Sequence, residues 1–260
     1  MRKNYPKKTV YYSELTDNIE GDELADNPLP QNYQYIKEGK RNKFLDFLLY
    51  RIVATPLAFL YSRLISKDKI IGAEKIKPYK SEGGFLFGNH TSAAGDAFLP
   101  GLLAFPKRNY IIISRRNLSL PFGKALSCLG GLPLPDGIRN AASFTRAIKT
   151  RVGEGSFVTV YPEGRLWSFC SFLRPFGSES FSFASKSGKP AFAFTRVYKK
   201  WRFGVRSVIY IDGPFFPDSS LGEKDAREVL ASQVKNAMEE RLKLSDVQVV
   251  KYEKREENRL

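Results

Sequence analysis

The stretch FLFGNHTSAAGDAFLPGLL, residues 85–103, sets the reading of the rest of the chain. Phe85 to Asn89 is a short apolar run of the length of a buried strand, bounded by glycine and polar residues. Small and polar residues follow as far as Asp96, and apolar residues then resume from Ala97 to Leu103 in a pattern that predicts a helix. Similar apolar runs recur at Tyr110 to Ser114, Phe157 to Pro162, Ala191 to Val197 and Val208 to Asp212. Helical stretches separate or follow them at Gly123 to Leu129, Ala141 to Val152, Glu179 to Ser187 and Lys224 to Leu242. Strand and helix alternate, which predicts an α/β fold with a mostly parallel central sheet flanked by helices.

Upstream, FLDFLLYRIVATPLAFLYSRLI (44–65) is helical in composition but is interrupted by Asp46, Arg51, Pro56 and Arg63. A spanning helix wants about 20 mainly apolar residues, and Pro56 is expected to kink this one into two pieces. The expectation is an N-terminal interfacial helical hairpin; a core helix of a soluble protein has the same composition. Residues 1 to about 40 contain Pro28 and Pro30 among charges and no sustained periodicity. The chain therefore divides into a polar extension over 1–40, a membrane-associating helical segment over 41–70, a catalytic domain over 71–250 and a charged, solvated tail over 251–260.

The 42 Lys and Arg against 27 Asp and Glu give a net charge of +15, which favours contact with polyanions and with anionic bilayers in particular. Cys128 and Cys170 are the only cysteines and do not form a close-spaced pair, so neither a zinc site nor a redox couple is expected. With a single histidine, sites needing two imidazole ligands are excluded and no metal is expected. The N-terminus has no apolar run of the secretory kind, so an intracellular protein is expected.

That one histidine, His90, lies just past the first strand, and Asp96 precedes the helix. A neutral imidazole accepts a proton from a hydroxyl at physiological pH, and a carboxylate beside it fixes the tautomer and stabilises the imidazolium. Asp96 also suits helix capping, and the two roles are compatible. Asn89, Thr91, Ser92 and Gly95 are the supporting residues of this segment. A second candidate cluster is Tyr161-Pro162-Glu163-Gly164-Arg165, a strand end followed by a turn and a cation. Arg165, with Arg139 from PDGIRNAASF, is placed to hold a phosphate by charge-assisted hydrogen bonds. For Arg139, Arg146 and Arg174 the default in so basic a chain is a solvated charge, and context favours Arg139 and Arg165.

Gly88-Asn89-His90-Thr91-Ser92 through Asp96, then Tyr161-Pro162-Glu163-Gly164, then Gly188-Lys189-Pro190, resemble the ordered motifs of the glycerolipid acyltransferases that include 1-acylglycerol-3-phosphate acyltransferase. The resemblance spans roughly residues 70–215. It implies that His90 is the general base and Asp96 its orienting partner, and that Glu163, Gly164 and Arg165 bind the acceptor. Arg139 resembles the basic residue of the intervening motif. It also implies acyl-CoA or acyl carrier protein as the donor substrate, with no cofactor, a lysophospholipid acceptor, and a peripheral or monotopic site on the cytoplasmic face of the membrane.

Three departures from the family pattern stand out. Five residues separate His90 from Asp96 where the family usually has four; Arg165 follows Gly164 directly; and the intervening motif Ile138-Arg139-Asn140 matches the family pattern only loosely, with the loop from Trp167 to Pro175 apolar and aromatic, as a surface facing an acyl chain or membrane would be. A six-position offset on a regular helix turns two side chains to different faces. His90 must therefore lie in the preceding turn, or an irregularity, for which Gly95 is the obvious place, must absorb the extra residue. Three other functions compete: a serine hydrolase using Ser92 or Ser168, a basic nucleic-acid-binding module, and a catalytically impaired lipid-binding protein of the same fold. The first lacks the Gly-x-Ser-x-Gly elbow, and the second leaves both motifs unexplained.

Overall fold

The computed structural model of the protein describes residues 5–20, 24–37 and 39–255. Its strands are β1 (Lys8–Tyr12), β2 (Lys69–Ile71), β3 (Gly84–Gly88), β4 (Asn109–Ile113), β5 (Gly131–Pro133), β6 (Phe157–Val160), β7 (Ala191–Trp201), β8 (Gly204–Phe215) and β9 (Val250–Lys254). Seven of them form one sheet in the order β2-β8-β7-β3-β6-β4-β5. All neighbours in it are parallel except the β7/β8 hairpin, so the sheet is α/β and mostly parallel as the alternation predicts.

Both faces of this sheet are covered, which is why its strands read as continuous apolar runs. Along β3 the side chains alternate. Phe85 and Phe87 join Phe144, Ile148, Phe181, Leu230 and Met238 on one face. Leu86 joins Leu99, Leu103, Phe192 and Phe194 on the other. The helices Gly137–Gly153 and Glu223–Leu242 cover the first face and Ala93–Ala104 the second.

The structure corrects the sequence at both ends. Residues 40–66 form one continuous helical run instead of a hairpin. Pro56 does not break it because the preceding turns, Leu48–Ala54, are wound as π-helix. Wider turns relieve the clash between a proline ring and the carbonyl four residues back, and the Thr55 hydroxyl donates to the Tyr50 carbonyl at 2.8 Å. The polar N-terminal extension packs on the domain: β1 pairs in parallel with β9, and Leu29 and Tyr35 are buried in the main core. Likewise the charged tail begins as strand, with Tyr252 buried against Trp167. Residues 256–260 of that tail lie outside the described residues.

The loop after Tyr161 also differs from expectation. Trp167 and Cys170 are fully buried beneath the β1/β9 pair, with the indole nitrogen donating to the Asp17 carbonyl at 2.9 Å. Most of its aromatic surface therefore meets protein, and Phe169 is its exposed ring.

Candidate active site

Parallel strands place the residues that follow them on one edge. His90 follows β3 and Glu163 follows β6, and these two strands are neighbours. The sheet ends in a turn before the Ala93–Ala104 helix, so His90 lies ahead of the helix and Asp96 lies in its first turn. The extra residue is thus taken up in the turn, and the helix runs regularly through Gly95.

In this arrangement His90 Nδ1 is 2.9 Å from Asp96 Oδ2. The same oxygen accepts hydrogen bonds from the backbone N–H groups of Thr91, at 3.0 Å, and Ser92, at 2.9 Å. Asp96 is almost fully buried. Its charge is favoured by these amides and by the positive end of the helix. With Nδ1 committed to Asp96, Nε2 is the nitrogen left to face a substrate hydroxyl, and the His90 side chain is 25% exposed.

Other groups hold the imidazole in place. Its ring stacks on Tyr161 at 4.5 Å and an interplanar angle of 22°, while the Tyr161 hydroxyl donates to the Asp96 carbonyl at 2.6 Å. Burial, with the Asp96 charge next to it, pushes the Tyr161 phenol well above its ordinary range. Asn89 ties β3 to β7 with its side-chain amide, accepting from Arg196 N at 2.8 Å and donating to Arg196 O at 2.9 Å. Thr91 shares a hydrogen bond with the Tyr198 hydroxyl at 3.0 Å.

Glu163 does not face solvent as an acceptor-binding carboxylate would. Its Oε1 accepts from His90 N at 3.1 Å, and its Oε2 accepts from Arg174 Nε at 2.7 Å. Arg174 is equally buried, which corrects the default reading of that residue as a solvated charge. Arg174 also donates to the Arg165 carbonyl. Burial raises the Glu163 carboxyl above the usual range, while Arg174 and the His90 amide act in the opposite direction.

Gly164 is exposed with φ +70° and open space where a side chain would stand. Arg165 follows it, partly exposed; among the described residues its guanidinium has no hydrogen-bond or ion-pair partner. Arg139 is exposed at the start of the Gly137–Gly153 helix, beyond β5. That strand is separated from β3 by β6 and β4, roughly 14 Å at about 4.8 Å per strand. The structure thus groups His90, Asp96, Glu163 and the Gly164–Arg165 turn, and leaves Arg139 apart.

Gly95 has a packing role that its sequence position does not reveal. A Cβ there would stand 2.5 Å from Ser92 Oγ and 2.6 Å from Arg196 Nη2. Alanine gains about 1 kcal/mol in helix propensity over glycine, but overpacking a buried site costs about 1–3 kcal/mol. The clash with a buried guanidinium outweighs the gain, so Gly95→Ala lowers stability by about 1 kcal/mol net, read as a fall in the thermal midpoint.

A histidine–carboxylate dyad at the carboxyl edge of a mostly parallel, doubly covered sheet defines an α/β protein equipped to activate a hydroxyl. The profile of the family described as Acyltransferase matches residues 69–196, a span that holds both the dyad and the Glu163–Arg165 turn. That match covers 128 of the 260 residues and supports reading the chain as an acyltransferase. Among solved structures it is similar to the 1-acyl-sn-glycerophosphate (LPA) acyltransferase PlsC from Thermotoga maritima, with a TM-score of 0.51 and 20% identity over 79% of this chain and 85% of that one. That likeness is one of fold. No curated protein matches the chain.

Proposed function

We propose that the protein transfers a fatty acyl group from acyl-CoA or acyl carrier protein to the free hydroxyl of a lysophospholipid, with 1-acylglycerol-3-phosphate as acceptor. The observation that carries this reading is the His90–Asp96 contact of 2.9 Å with Nε2 left over. His90 removes the hydroxyl proton as the oxygen attacks the thioester carbonyl, and Asp96 stabilises the imidazolium that forms. The tetrahedral intermediate collapses, the C–S bond breaks, and the imidazolium returns its proton to the departing thiolate. Arg165 receives the acceptor phosphate, with the Gly164 turn allowing close approach. Arg139, farther along the same edge, extends the positive field over the entry. Glu163 positions the His90 backbone and leaves phosphate binding to the cations.

The helix Lys40–Ser66 is long and apolar enough to cross a membrane. Its inner side is occupied by protein: the Tyr50 hydroxyl accepts from Asn109 N at 2.9 Å, Asp46 lies 3.7 Å from Arg108, and Tyr61 packs on Phe98. Its outer side exposes Phe44, Ile52, Leu60, Leu64 and Ile65. A helix docked in this way rests in the interface plane, with the domain on the cytoplasmic face of an anionic membrane. Replacing Ile65, which is 71% exposed, with Glu removes about 1.5 kcal/mol or more of apolar burial in lipid. Co-sedimentation with anionic vesicles then falls about tenfold while the thermal midpoint is retained.

Substrate identity is tested by presenting the protein on vesicles with a panel of lysolipids and either acyl-CoA or acyl carrier protein, following free thiol and diacyl product together. Product from lysophosphatidate ahead of neutral lysolipids supports the assignment. Thiol release without acylated lipid, or a preference for an acceptor lacking phosphate, overturns it.

A further inference from the structure

Beneath the dyad is a second layer of charge that the mechanism above does not use. The β3/β7 register pairs Gly88 with Phe194, so Arg196, two residues on, stands level with His90 on the face covered by the Ala93–Ala104 helix. Arg196 is 2% exposed. Its Nε lies 3.7 Å from Asp96 Oδ1, and its Nη1 donates to Asp68 Oδ1 at 2.8 Å and to Ser207 Oγ at 2.9 Å. Asp68 is buried as well, and Ser207 also donates to it. Asp96 Oδ1 has no hydrogen-bond partner among the described residues, so the Arg196 charge is the compensation it has.

We propose that Arg196 and Asp68 are positioning residues that set the basicity of His90 through Asp96. The proposal rests on His90 acting as the base. Asp68, Arg196 and Asp96 together carry one net negative charge, which an imidazolium at His90 neutralises. Two buried carboxylates share one guanidinium, so Arg196 compensates the Asp96 charge without cancelling its effect on the imidazole. Burial works against the Arg196 charge, but Asp96 and Asp68 more than offset it and hold the guanidinium protonated. The other titratable groups facing the dyad are Glu163, Tyr161 and Tyr198. Glu163 and Arg174 form an ion pair, and burial raises the Tyr161 and Tyr198 phenols, keeping them neutral.

Asp68 immediately precedes β2 and follows the apolar helix, with only Lys67 between it and Ser66. The residue that tunes the dyad therefore sits where the membrane-facing helix joins the sheet. Nothing in its sequence context marks it.

The test uses the fact that His90 is the only histidine, so its imidazole resonance in the full-length protein needs no assignment. Asp68→Asn keeps an acceptor for Arg196 but removes one negative charge. The His90 titration midpoint then falls by roughly half to one unit, and the acid limb of kcat/KM moves with it. Arg196→Gln removes the cation and moves the midpoint the other way. Either variant decides alone should the other fail to fold. A folded variant with an unmoved imidazole titration overturns the inference, and does so even where His90→Ala is inactive and the base assignment stands. Retained turnover in His90→Ala overturns the base assignment itself, whatever the titration shows.

Discussion

His90→Ala lowers kcat by about 10²–10⁴-fold, the range in which a positioned general base acts, while lysolipid binding and the thermal midpoint stay near wild type. The separation of the two effects follows from the geometry. The imidazole is partly exposed and rests on Tyr161. Its backbone N–H, which holds Glu163, is untouched by the substitution. Truncation therefore removes the proton acceptor and one partner of Asp96, whose Oδ2 keeps its two amide donors. Steady-state kinetics with binding measured separately, and a thermal melt, check this.

Arg174→Ala has its largest effect on stability. A buried ion pair is not a strong net contributor when whole, but removal of one partner leaves an uncompensated buried charge and costs about 3–5 kcal/mol. Here the stranded charge is Glu163, whose other oxygen braces the catalytic loop. At about 2–4 °C per kcal/mol for a chain near this size, the thermal midpoint falls by roughly 6–20 °C. The deficit depends on pH in a defined sense. Burial raises the Glu163 carboxyl in the folded state, and a group raised in this way contributes stability that is present below its unfolded pKa and lost as pH rises through the folded value. Loss of Arg174 raises it further, so Arg174→Ala is closest to wild type in acid and farthest at neutral pH. Melts across that range are the measurement.

Much of this was open to a reader of the sequence, for physical reasons that differ from element to element. Strands buried on both faces produce unbroken apolar runs, and β3, β4, β6 and β7 were found from theirs, whereas the three-residue strands β2 and β5 are too short to leave a pattern. The dyad residues were named from chemistry and resemblance, but their contact depends on where the helix begins. Ser92 as the boundary is what puts His90 in the turn. Pro56 reads as a break because a proline is costly inside an α-helix, whereas the chain winds π-helix ahead of it. Arg174 reads as an ordinary surface charge and Asp68 carries no signal at all, since their partners lie 11 and 128 residues away. Arg196 left a trace, a cation inside the apolar run AFAFTRV. In a buried strand such a charge requires a partner.

The pairing of β1 with β9 joins residues near opposite ends of the chain and no local pattern announces it. It matters to the site because that pair buries Trp167, whose backbone N–H donates to the His90 carbonyl at 3.2 Å. The termini thus help fix the catalytic loop from outside.

The most direct test of the central claim is a single turnover on vesicles, with excess enzyme and a labelled acyl thioester, quenched over time and read for thiol, diacyl lipid and protein mass. Direct transfer by a His90 base predicts thiol and diacyl lipid appearing together in equal amounts, no acyl adduct on the protein, and neither product from His90→Ala on the same timescale. An acylated protein that forms before lipid product, or product formed equally fast by His90→Ala, would contradict it.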